Sequence, residues 1–157
     1  MALDLSPRNP RTVYLGGGDG PGGRGGYVPI DDKVVDGANA LPGMLVETFN
    51  DTGNVGKWRV HSTSAGRAAP AFLLDRPYHN QGIDDAYVDG ELALVGHMHK
   101  GSIVYALVPS GANIVYGDWL ESNGDGYLKE GNTQPIARAA QTIGAVTAAT
   151  RIRAEVI

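Results

Sequence analysis

Apolar residues in this chain come in short bursts, each soon stopped by a turn signal. The pattern is plainest from residue 92 to residue 131. A β-branched, aromatic and aliphatic run at 103–108 stops at Pro109, Ser110 and Gly111. A second burst at 114–116 is turned by Gly117 and Asp118. Residues 119–122 then lead into Asn123-Gly124-Asp125-Gly126, and 127–130 lead out. Asn-Gly and Asp-Gly steps tolerate the positive φ of hairpin turns, so this stretch predicts a β-meander. The last residues alternate strictly, with Ile152, Ala154 and Val156 on one side and Arg151, Arg153 and Glu155 on the other. A period of two is that of a half-buried strand with its charges outward.

Upstream, the same reading predicts strands at 28–30, 33–35, 44–49, 58–62 and 71–75, with polar loops at 50–56 and 78–89. Helices have little room. The 23 glycines and nine prolines leave 145–157 as the longest stretch free of both, 13 residues, and the next longest are nine. A mean helix needs about 11–12 residues, and the one stretch long enough ends in strand alternation. The chain therefore predicts an all-β domain, with the meander forming half of a small barrel or sandwich.

Residues 1–27 stand apart. They end in the tract GGGDGPGGRGG, which has too little apolar surface to offset its ordering entropy. This predicts a flexible Gly-rich N-terminal arm over 1–27 and a β-rich body over 28–157. Within the arm, Thr12, Val13, Tyr14 and Leu15, preceded by Arg11, form a short strand-former. It reads either as an untidy terminus or as a strand that pairs with the sheet edge of a neighbouring molecule.

Composition narrows the function classes. There is no cysteine, hence no disulfide framework and no thiolate metal site. No apolar run has signal-peptide or membrane-spanning length, which leads us to expect synthesis in a cytoplasm and no membrane partner. A net charge of −4 argues against nucleic acid as a partner.

Candidate chemistry is sparse. Two overlapping GxGxxG matches, Gly18/Gly20/Gly23 and Gly20/Gly22/Gly25, precede Tyr27-Val28-Pro29 and not a helix that could hold a pyrophosphate. Gly56-Lys57 lacks the leading glycine and the hydroxyl residue of a Walker A loop. His97 and His99, one residue apart on an expected strand, could share a face and chelate a metal with help from His61 or His79. No supporting ligand spacing accompanies them, so no metal or cofactor is assigned. Asp84, Asp85, Asp89 and Glu91 form an acidic cluster read as solvated loop charge, and Asp125 belongs to a hairpin turn rather than a calcium loop. Neither a Gly-x-Ser-x-Gly elbow nor a cysteine nucleophile is present. The chain therefore reads as non-enzymatic.

Three stretches carry a family resemblance. They are Asp84-Asp85-Ala86-Tyr87 with Gly90 and Glu91, the hairpin GDWLESNGDG at 117–126, and the final strand RIRAEVI at 151–157. Together with the strand at 72–76 they resemble tailed-bacteriophage capsid decoration, or cement, proteins. The resemblance covers 70–157 well and 28–69 loosely; His97-Met98-His99 and Trp119 depart from the pattern. It implies a small β-barrel or β-tulip-like body, in a virion protein on the capsid exterior that clamps adjacent major capsid protein subunits, commonly as a homotrimer. An arm at Arg11, Thr12, Val13, Tyr14 and Leu15 docking on the shell would suit that task, because three arms together raise the effective concentration. Two further readings stand beside it. One is another virion role (tail, fibre or head–tail joining), and the other a β-barrel ligand-binding module or enzyme.

Overall fold

In a computed structural model the described residues are 10–17, 26–30, 32–50 and 56–157. Eleven strands run through them: β1 (Tyr14–Gly17), β2 (Tyr27–Ile30), β3 (Val46–Phe49), β4 (Lys57–Val60), β5 (Ala71–Leu73), β6 (Val95–Met98), β7 (Ser102–Val108), β8 (Trp119–Ser122), β9 (Leu128–Glu130), β10 (Ala137–Ala139) and β11 (Thr150–Val156). Among the described residues there is no α-helix, only a 3-10 turn at Pro77–His79. The domain is all-β, as the Gly and Pro spacing predicts.

The strands form a six-stranded sheet in the order β1-β7-β11-β10-β8-β9, a three-stranded sheet β2-β6-β5, and a hairpin β3-β4. Every neighbouring pair is antiparallel. The long pairing is β11 on β7, running from Thr150 opposite Val108 to Glu155 opposite Ile103. Its alternation is the expected one, with Ile152, Ala154 and Val156 in the core.

The expected barrel does not close; the sheets pack as layers. The reason lies in β5. Ala71 and Leu73 face an apolar cluster with Val46, Trp58 and Tyr87, while Phe72 joins a second cluster with Val104 and Ile152. All three β5 residues are buried, so the strand is covered on both faces. Such a strand reads as an unbroken apolar run, and its sheet is a middle layer between the large sheet and the β3-β4 hairpin.

The segment expected to reach a neighbouring molecule lies on this chain's own sheet. Tyr14 pairs with Val104, a bulge follows, and Gly16 and Gly17 pair with Ile103 and Ser102. The Val13 carbonyl accepts from the Tyr105 N–H at 2.7 Å, and the Val13 side chain is fully buried. Asp75 fixes the strand's start, its Oδ1 accepting from Thr12 Oγ1 at 2.9 Å and from Val13 N at 3.0 Å. Arg11 and Thr12 are exposed and Leu15 is half-buried. Val13 thus belongs to the body, because a β-branched side chain gains more from a core than from solvent. The rest of the expected arm, 1–9 and 18–25, lies outside the described residues, as do both GxGxxG matches.

Candidate functional site

The acidic cluster of 84–91 is dispersed into four separate ties. Asp84 Oδ1 takes Arg151 Nη1 at 2.6 Å, and Arg151 also reaches the carbonyls of Pro42 and Ile83. Arg151 is therefore covered, where strand alternation alone would set it outward. Asp85 accepts from Gly82 N, and Asp89 from Gly37 N. Glu91 accepts from Val88 N and lies 2.9 Å from Arg76 Nη2, close enough for an ion pair but off the line of the N–H bonds. The adjacent Arg76 guanidinium first, and the hydrogen bond from Val88 N second, hold the Glu91 carboxyl below its ordinary pKa, against a smaller upward push from burial.

Tyr87, in the same stretch, closes a gap in a sheet ladder. Beyond the Leu73–Val95 pair of β5 and β6, Leu74 N donates to Leu94 O at 2.9 Å. The reciprocal bond is not direct. The Tyr87 hydroxyl donates to Leu74 O at 2.8 Å and accepts from Leu94 N at 3.2 Å, standing between the two strands. Its ring is covered by the buried Arg76 guanidinium, 3.9 Å from the centroid. Burial pushes the phenol pKa up, so the hydroxyl stays a neutral donor.

The 123–126 turn forms as expected. Gly124 and Gly126 take φ of +93° and +84°, and Asp125 accepts from Asn123 Nδ2 and from Tyr127 N. Beside it sits a buried chain that no local motif announces. His61 Nδ1 is 2.7 Å from Ser122 Oγ, and its Nε2 is 3.3 Å from the Arg67 carbonyl and 3.7 Å from Glu47 Oε2. A proton on Nε2 fits this network, since Nδ1 then accepts from the Ser122 hydroxyl, whose oxygen accepts from Gly124 N at 3.1 Å. Serine, histidine and carboxylate in a row invite comparison with a nucleophilic triad. Ser122 is fully buried, however, and its hydroxyl is committed to His61. The chain pins the β8-β9 turn to the β3-β4 hairpin.

Glu47 anchors the other end. Burial raises its carboxyl, and hydrogen bonds from Ser62 and Arg59 with the nearby His61 together outweigh that, leaving the pKa lowered. His61, Glu47, Trp58 and His97 line one cleft of about 190 Å³. The Trp58 and His97 rings lie 6.2 Å apart, and the buried Trp58 Nε1 has no hydrogen-bond partner. His97 is in β6, whereas His99 lies just past its end, where its N–H meets Gly26 O. His79 is exposed in the 3-10 turn. Among the described residues no three His, Asp or Glu side chains are grouped to hold a metal.

The exposed chemistry is at the start of β8. Val115, Tyr116 and Trp119 are 54%, 70% and 43% exposed, in a turn fixed by Asp118, whose Oδ2 accepts from Val115 N. Arg138 lies 5.0 Å from the Trp119 ring centroid, and its Nε donates to Gly117 O at 3.4 Å. Trp119, Asp118, Glu130 and Asn132 line an open cleft of about 290 Å³. No family model matches the chain, and no curated protein matches it.

Proposed function

We propose that the chain is a non-enzymatic capsid decoration protein that binds the exterior of a phage head and ties major capsid protein subunits together as a homotrimer. The observation that carries the reading is where the resembling stretches fall. Tyr87 closes the middle sheet and Glu91 pairs with Arg76 beside it, Ser122 and the 123–126 turn lock the hairpin, and 151–156 supply a central strand of the large sheet. The three stretches of the resemblance are thus the framework of this fold, and their polar groups serve as internal ties. A clamp under load needs such a rigid body. With Val13 in the core, a docking role for Arg11, Thr12, Val13, Tyr14 and Leu15 passes from a free strand to the outer side of β1, an edge strand that can accept a strand from the shell.

Co-sedimentation of the full chain with expanded heads lacking it tests the proposal. Saturable binding at a fixed ratio to the major capsid protein is the expected result. Failure to bind any form of the head refutes it and favours a tail or fibre component.

A further inference from the structure

We infer that the cleft at the start of β8 is a binding site for a neutral saccharide, with Trp119 as its stacking platform. The cleft is lined by Asp118, Trp119, Glu130 and Asn132, and its volume of about 290 Å³ is at the small end of ligand pockets. One or two sugar rings fit that size.

Three features select the ligand class. The Trp119 indole is 43% exposed although Arg138 sits against it, so its orientation is fixed while apolar ring surface stays open. Glu130 and Asn132 make no side-chain hydrogen bond or ion pair among the described residues, and Asp118 uses only Oδ2. The cleft therefore presents carboxylate acceptors and a carboxamide that both donates and accepts, the partners that vicinal hydroxyls require. Charge removes the competitors. Two carboxylates on a chain of net charge −4 repel phosphate-bearing ligands, and the indole already carries the Arg138 guanidinium, which disfavours a second cation. A neutral polyhydroxylated ring, with C–H faces for the indole and hydroxyls for the rim, satisfies all of these groups at once.

The test uses the full chain and three neutral probes, maltohexaose, cellohexaose and chitohexaose. Trp58 is buried and Trp119 exposed, so a change in tryptophan emission reports the platform. At least one probe is expected to bind with a Kd of about 0.1–1 mM. Trp119→Ala should weaken it by about tenfold or more, while Trp119→Phe, which keeps an aromatic face, stays within about threefold by isotope-edited NMR. Glu130→Gln should weaken binding with an unchanged melting temperature. No binding of any probe at about 10 mM overturns the inference, as does equal binding by Trp119→Ala. Loss of head co-sedimentation in Trp119→Ala, with no probe bound by the wild type, also overturns it and assigns the aromatic surface to protein docking. Saccharide binding by the isolated chain does not depend on the head-binding proposal.

Discussion

Tyr87→Phe removes one oxygen atom and should cost far more than its size suggests. Among the described residues the hydroxyl is what links Leu94 N and Leu74 O, at 3.2 and 2.8 Å, and Tyr87 is 1% exposed. Phenylalanine keeps the ring and its contact with Arg76, so no large cavity opens. What remains is a partly buried Leu94 N–H and a buried Leu74 C=O, each without this partner. Leaving such a group unpaired costs about 1–3 kcal/mol. The longer bond is the weaker one, and the hydroxyl's own desolvation is relieved, so we expect a net loss of about 2–3 kcal/mol. Urea unfolding should show a lower midpoint with an unchanged slope, since the surface exposed on unfolding is the same. In a chain of 157 residues this corresponds to a fall of roughly 4–12 °C in melting temperature. Hydrogen exchange at the Leu94 amide should quicken with it. A loss below about 0.5 kcal/mol, with Leu94 still protected, would show that the strands close without the hydroxyl.

Three further outcomes follow from the geometry. Gly43 and Gly90 have φ of +92° and +80°, but a Cβ at Gly43 would come 2.7 Å from the Tyr105 carbonyl oxygen, while nothing lies within 4 Å at Gly90. Gly90→Ala should therefore cost about 1–2 kcal/mol and Gly43→Ala about 3 kcal/mol or more in chemical unfolding. The Glu47 carboxyl is lowered from an ordinary value of 4.5, so its contribution is full above that value and is lost as pH falls through the folded one. The melting-temperature gap between wild type and Glu47→Gln should accordingly narrow from pH 7 to about pH 3, and a gap that does not narrow would contradict the assignment. Val13→Ala should destabilise the body by about 2 kcal/mol, whereas a segment undocked from the sheet would leave stability unchanged.

The legible part of the fold was the part punctuated by Gly and Pro. Residues 119–122 and the alternating end of the chain form strands where the pattern sets them, because turn residues on either side leave the backbone few alternatives. Residues 33–35 and 114–116 have the same apolar character but make only isolated bridges, Val34 with Leu92, Val35 with Trp58 and Ile114 with Ile143. Only Val35 and Ile114 are fully buried there, and a single bridge holds one buried residue as well as a ladder does. The layering was not legible, because β5 is only three residues long and a short apolar run does not say how many faces are covered. Nor were the His61–Ser122 pin and the Tyr87 plug, since their partners are far apart in sequence and only tertiary packing joins them. The resemblance singled out Tyr87, but its role is set by the Leu74–Leu94 gap.

The position of β11 has a consequence for how the molecule is made. It lies between β7 and β10, yet it follows both in the chain. While a ribosome is still adding residues, β7 has β1 on one flank and nothing on the other, and β10 has only β8. The open flank of β7 is seven residues of a largely apolar strand, a template for pairing between nascent chains. It stays open until residues 150–156 clear the exit tunnel. Products that stop short of residue 150 should therefore collect in inclusion bodies, and any chaperone that shields β7 must hold on until its last partner has been synthesised.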